Sequence, residues 1–236
     1  MKRLYLFLVF ALTLGASLAQ AQNVQLHYDF GRRLYPGKQA ERPNLTTTVE
    51  MFRPDSWGST FFFVDMNYRS EGVTMAYWEV ARDIKLWKAP VALHLEYNGG
   101  LSNSFSFGNA YLAGLNYIYN NRDFSGGFTL AAMYKHLARQ ARPHSYQLTG
   151  VWYRHFAGGL LSFSGFADLW GDRHYVTGRN MTVFLAEPQL WLNLNKLPGV
   201  NPKFNLSIGT EVEVSTNFSV LDETIINPTL GLKWTF

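Results

Sequence analysis

An all-β fold, a twelve-stranded antiparallel transmembrane β-barrel of the bacterial outer membrane, is what this sequence predicts, and three observations predict it. Reading back from Phe236 by twos gives Trp234, Leu232, Leu230, Pro228 and Ile226, with Thr235, Lys233, Gly231, Thr229 and Asn227 between them. A strand with one apolar and one polar side, ending in an aromatic residue, suits a wall between lipid and an aqueous lumen. Alternating segments of roughly ten residues recur along the whole chain, the length a tilted strand needs to cross a bilayer. The links between them are mostly long on one rim and short on the other, as in barrels with tight periplasmic turns and larger outer loops.

Met1 to Ala21 opens with Lys2 and Arg3, continues as an apolar run from Leu4 to Leu14, and closes on Ala19-Gln20-Ala21. This is the pattern of an export leader with a small-x-small cleavage site, so residues 1–21 are read as a signal peptide and 22–236 as a single barrel domain. Period-two alternation then places strands near 24–32, 45–53, 59–69, 74–87, 91–98, 109–119, 124–136, 145–156, 160–171, 182–194, 203–215 and 225–236. With both termini periplasmic, the outer links are Gly31 to Asn44, the short Ser70 to Val73, Gly99 to Gly108, Leu137 to His144, Gly171 to Met181 and Thr216 to Thr224. The inner links are Pro54 to Gly58, Lys88 to Pro90, Asn120 to Asp123, Ala157 to Gly159 and the longer Lys196 to Pro202. Gly, Pro, Asn and Asp at these positions supply the turn chemistry.

Composition narrows the classes further. Beyond the leader no run of eighteen apolar residues exists, which excludes a membrane-spanning helix. Cysteine is absent, so disulfides and thiolate metal sites are excluded. Without Lys2 and Arg3 the formal charge of +4 falls to an excess of two, too weak for a surface that binds nucleic-acid polymers. Aromatic residues make up 16% of the chain, as much as all charged residues together, and Tyr117, Tyr119, Trp152 and Trp234 fall near strand ends, where interfacial girdles form.

If the apolar set faces lipid, the alternate set faces the lumen. That set is acidic: His27, Asp29, Glu50, Asp65, Asn67, Glu79, Asp83, His94, Glu96, Asp168, Glu187, Glu211 and Glu213, with Lys135 and Lys233 as the clearest counter-charges. Phe52, Phe61, Phe63, Phe166, Trp170 and Trp191 share its phase. Carboxylates in a narrow barrel can simply brace the wall. Interleaved with aromatic faces they also suit planar or hydroxylated rings, because a ring stacks while its polar edge donates to the carboxylates. Arginines crowd the outer links at Arg32, Arg33, Arg42, Arg139, Arg142, Arg173 and Arg179, where guanidinium is well shaped for lipopolysaccharide phosphate.

Three stretches share their order and strand placement with a known family. They are Val49-Glu50-Met51-Phe52-Arg53-Pro54-Asp55-Ser56-Trp57 running into Phe61-Phe62-Phe63-Val64-Asp65; Trp78-Glu79-Val80-Ala81-Arg82-Asp83-Ile84-Lys85-Leu86; and Leu161 to Asp172, containing Ser164-Gly165-Phe166-Ala167-Asp168-Leu169-Trp170-Gly171. Together they resemble the nucleoside-specific channel-forming (Tsx-like) outer-membrane proteins. The resemblance implies a monomeric twelve-stranded barrel with Glu50, Asp65, Glu79, Asp168 and Trp170 at family-like lumenal positions. From Met181 onward the motif agreement fades.

The leading expectation is therefore a passive outer-membrane channel for small polar solutes, nucleoside-like compounds first, with no enzymatic step, cofactor, metal or catalytic residue. Its lumenal residues are Glu50, Phe61, Phe63, Asp65, Glu79, Asp83, His94, Glu96, Phe166, Asp168, Trp170, Glu187, Trp191, Glu211 and Glu213. Its expected partners are outer-membrane lipid and lipopolysaccharide, the barrel-assembly machinery through the C-terminal strand, and the solute. Two alternatives stand beside it: a non-conducting structural or adhesion barrel, and a lipid-modifying enzyme using a Ser–His–carboxylate set near His136, His144, His155 or His174.

Overall fold

The computed structural model describes residues 21–174, 176–219 and 222–236; apart from Ala21, the expected leader lies outside the described residues. Thirteen strand segments form one antiparallel sheet that closes on itself. They are β1 (Ala21–Asp29), β2 (Leu45–Asp55), β3 (Gly58–Arg69), β4 (Gly72–Ile84), β5 (Val91–Ser102), β6 (Ala110–Asn120), β7 (Gly126–Leu137), β8 (His144–Phe156), β9 (Leu161–Arg173), β10 (Asn180–Ala186), β11 (Gln189–Asn193), β12 (Leu206–Thr216) and β13 (Thr224–Thr235). Neighbours in sequence pair in order except β10 and β11, which each pair with β9 and β12, and β1 zips onto β13 from Asn23↔Thr235 to Asp29↔Thr229. That closure removes both free edges.

β10 and β11 are two halves of one strand, so the barrel has twelve staves. Leu185 pairs with Asp168 and Gln189 with Ser164, a spacing of four residues on both strands, and the same register holds against β12. The interruption falls at Glu187-Pro188, where proline removes a ladder donor. The backbone there presses against Gly165, at which a Cβ would lie 2.5 Å from the Glu187 carbonyl oxygen. Only glycine permits that approach.

The burial pattern is inside-out. Leu130 and Leu230 are 56% and 57% exposed on the outer face, alongside Leu26, Leu95, Leu115, Leu148 and Leu232, while Gln25 and Asn227 on the inner face are 2% and 0% exposed. An apolar belt this continuous and this open is a lipid-facing surface. Aromatic clusters border it: Tyr119 stacks at 5.3 Å and Tyr117 at 6.1 Å on Phe128 near one rim, and Tyr97 at 5.4 Å on Tyr111 toward the other.

Several strand ends differ from the sequence expectation. β1 stops at Asp29 because Phe30 leads into a single helical turn, Gly31–Leu34. β4 ends at Ile84, and the outer turn after β3 shrinks to Ser70 and Glu71. β5 continues to Ser102 although Gly99 was expected to start a loop, because Gly99 and Gly100 still pair with Trp78 and Tyr77. These glycines serve side-chain packing on the wall rather than a turn.

Candidate functional site

All fifteen residues expected on the lumen lie on the inner face, in phase with the buried polar positions and opposite the exposed apolar belt. The β2–β5 wall brings the largest group together. One row across it reads Glu50, Phe63, Glu79 and Asn98; the row above reads Thr48, Asp65, Tyr77 and Gly100; the row below reads Phe52, Phe61, Ala81 and Glu96. Carboxylates and rings thus alternate along and across the strands. Glu50 accepts a hydrogen bond from Asn23 Nδ2 at 3.0 Å, Asp65 one from Thr48 Oγ1 at 2.5 Å, and Glu79 one from the Tyr77 hydroxyl at 2.7 Å. Each carboxylate retains acceptor capacity beyond these bonds.

Toward the inner rim of the same wall His94 joins two acids. Its Nδ1 lies 2.8 Å from Asp83 Oδ1 and its Nε2 3.1 Å from Glu96 Oε2, and Asn116 Nδ2 donates to Asp83 Oδ2 at 3.0 Å. This cluster stitches β4, β5 and β6 together and is mostly buried.

The other expected positions lie on β9–β12 and face that wall across the lumen, with Asp168 within electrostatic reach of Glu79 and Glu96, and Glu187 and Glu211 of Asp65. On β9, Asp168 accepts from Thr149 Oγ1 at 2.5 Å. Trp170 carries Lys135 Nζ 4.9 Å above its ring, with Phe218 edge-on at 6.0 Å; Lys135 also donates to Gln147 Oε1 at 2.7 Å. Trp191 is fully buried, covered by Lys233 Nζ at 4.2 Å and met edge-on by His27. It faces inward but offers no ring surface to a solute. Glu211 accepts from Gln189 at 2.5 Å, and half-buried Glu187 sits at the β10–β11 break.

The loop between β1 and β2, expected as the outer link Gly31 to Asn44, folds back against the inner wall. Arg42 Nη2 lies 2.8 Å from Asp29 Oδ2 and 2.7 Å from Glu213 Oε2, which are 8% and 11% exposed. Burial works against the Arg42 charge, but Glu213 and Asp29 hold its pKa above the ordinary guanidinium value. Glu213 is braced further by Ser215 at 3.0 Å and Asn227 at 3.2 Å, and Lys38 reaches Glu223 at 2.5 Å on the adjacent loop. No periodic pattern marks a loop arginine as lumenal. Tyr77, by contrast, was legible, lying two residues before Glu79 and so on the same face.

Acidic groups dominate the lining, and the basic groups brought against them are Arg42, Lys135 and Lys233, with His94 between Asp83 and Glu96; His27 instead bonds Thr229 and Gln25 at 3.0 Å each. A serine–histidine pair also occurs near the inner rim: His155 Nδ1 and Ser162 Oγ are 2.9 Å apart, and Asn193 Nδ2 donates to the same Oγ at 2.9 Å. Among the described residues no carboxylate bonds His155 to complete a relay. At the outer rim His174 meets Asp222 at 2.7 Å.

A family model described as "Domain of unknown function (DUF5020)" matches residues 21–236. No curated protein matches the chain. Among solved structures, a NanC porin in a rhombohedral crystal form is similar at a TM-score of 0.58 and 12% identity, with 92% of this chain and 99% of that one covered. A KdgM porin is similar at 0.52 and 12% identity over the same shares, and a KdgM porin in complex with disordered oligogalacturonate at 0.51 and 12%. The likeness is one of fold, the twelve-stranded barrel of bacterial outer-membrane porins. It shows the porin fold and does not by itself show the nucleoside-specific family that the three sequence stretches resemble.

Proposed function

We propose that this chain, which belongs to the family described as a domain of unknown function (DUF5020), is a passive outer-membrane channel for small polar solutes that are neutral or cationic, nucleoside-like ring compounds first. The observation that carries the reading is the β2–β5 wall, where Glu50, Asp65 and Glu79 alternate with Phe61, Phe63 and Tyr77. Such a lining raises the local concentration of cations and repels anions, while its rings and acceptors hold a donor-bearing ring weakly enough to let it go. It is ill suited to a polyanion such as the oligogalacturonate bound to the KdgM porin. The reading keeps residues 1–21 as the export leader and the barrel as a monomer, assembled through its C-terminal strand, with the outer arginines against lipopolysaccharide phosphate.

Reconstitution in planar bilayers under a salt gradient tests it. The expected result is a stable conductance with a cation-selective reversal potential, reduced by added adenosine or uridine. Anion selectivity would overturn the reading. Absence of conductance would leave a closed structural barrel, which the inward-folded β1–β2 loop with its Arg42 latch would favour.

A further inference from the structure

Inward-facing aromatics in this barrel are of two kinds. Trp191 is sealed beneath Lys233 and behaves as a piece of core. A second group is strung out and partly open. Phe105, in the outer link after β5, is 58% exposed and lies 5.2 Å from Phe107. Phe107 lies 6.4 Å from Tyr77, Tyr77 6.0 Å from Phe63, and Phe63 6.0 Å from Phe61, centre to centre. The last four rings are half-buried. Phe61 in turn pairs across the ladder with Phe52, which is 43% exposed at the inner end of β2.

The outer end of this string is built. Phe107 N–H donates to the Gly100 carbonyl at 2.9 Å, Ser102 N–H to the Phe105 carbonyl at 2.7 Å, and Asn103 N–H to the Thr74 carbonyl at 3.0 Å. Gly100 makes room for the ring: a Cβ there would fall 2.4 Å from Phe107 Cδ2 and 2.7 Å from the Ala76 carbonyl oxygen. The missing side chain therefore explains why the link can lay Phe107 on the inner wall. Apolar rings left half-open along a polar wall cost hydration free energy and brace little, so a purely structural strip would be covered as Trp191 is.

We infer that Phe105, Phe107, Tyr77, Phe63 and Phe61 form a continuous track that carries a neutral ring solute with a donor-bearing edge from the outer mouth into the barrel. The inference rests on the channel reading above and assigns the path to the β3–β5 side. Spacings of 5.2–6.4 Å let a ring reach the next face before it has left the last. Glu50 and Glu79 flank Phe63 in one row, and Asp65 neighbours Tyr77 in the next, so hydroxyl or N–H groups on the solute edge find acceptors at successive steps. Nucleosides and sugar rings share that chemistry; anions and open-chain polyols lack the charge or the face.

The test is solute block of single-channel current with adenosine, methyl glucoside and sorbitol, on the wild type and on Phe63→Leu, Phe107→Leu and the lipid-facing Phe128→Leu. Each track variant is expected to weaken block by the ring solutes about tenfold, within the range seen when a stacking ring is removed, with sorbitol blocking poorly throughout and Phe128→Leu behaving as wild type. Adenosine and methyl glucoside separate the two sources of the ring chemistry. Wild-type block constants in Phe63→Leu and Phe107→Leu, in channels that conduct and shift on heating like folded barrels, would overturn the track while leaving the channel standing. A wild-type protein that passes no current would overturn both.

Discussion

Replacing Arg42 with methionine probes how the β1–β2 loop is held against the inner wall. The side chain is 26% exposed, whereas its partners Asp29 and Glu213 are 8% and 11% exposed. Removing one partner from a fully enclosed ion pair costs roughly 3–5 kcal/mol, because a buried charge is left uncompensated. Here the guanidinium is partly solvated, and each carboxylate keeps other donors: the Gly31 N–H at 2.6 Å for Asp29, Ser215 and Asn227 for Glu213. The cost is therefore scaled down to about 1–3 kcal/mol. It falls on the loop rather than on the barrel, whose ladder is intact without it. With 1.4 kcal/mol per factor of ten, the detached loop becomes roughly five- to a hundredfold more populated. Hydrogen exchange reads this directly. The Tyr35, Gln39 and Arg42 amides, bonded to Gly31, Tyr35 and Gln39 carbonyls at 2.8, 2.8 and 3.0 Å, should lose protection, and single-channel traces should flicker or step upward. Arg42→Lys should restore only part of the effect, since a single ammonium nitrogen replaces the planar group whose Nε and Nη2 donate to Asp29 and Glu213. Adding Asp29→Asn and Glu213→Gln to Arg42→Met should recover more by removing the stranded charges. Unchanged amide protection and unchanged current in Arg42→Met would refute the latch.

Two other perturbations test the wall itself. Leu148→Arg, on the lipid face of β8 at 47% exposure, should destabilise the barrel by about 2–4 kcal/mol if it sits near the bilayer midplane, read as a lower urea midpoint in vesicles; a neutral outcome would mean that the faces of β8 are inverted. Deleting Phe236, which is 68% exposed and donates its amide to the Gln22 carbonyl at 2.9 Å, should deplete heat-modifiable barrel in the outer membrane, and normal levels would count against an assembly role for the terminal aromatic.

What the sequence by itself determined is whatever follows from a period of two. Leu230, Leu232 and Trp234 against Thr229, Gly231 and Lys233 set the two faces of β13, and the same reading placed Glu50, Asp65, Glu79, Glu211 and Glu213 on the inner side. Alternation is written into each strand locally, because successive side chains point to opposite sides whatever the neighbour. Even the broken strand through Glu187-Pro188 kept its phase, since no residue was gained or lost in the ladder. Tertiary structure decided what depends on where distant segments meet. Alternation alone does not say that Trp191 is sealed under Lys233 while Phe63 stays half-open, because cover comes from another strand. Nor does it say that Gly100 continues a strand in order to seat Phe107, or that Arg42, in a stretch with no periodic pattern, bridges Asp29 on β1 and Glu213 on β12. A loop side chain has no face until the chain closes and supplies charges for it to meet, and that closure is a property of the whole barrel.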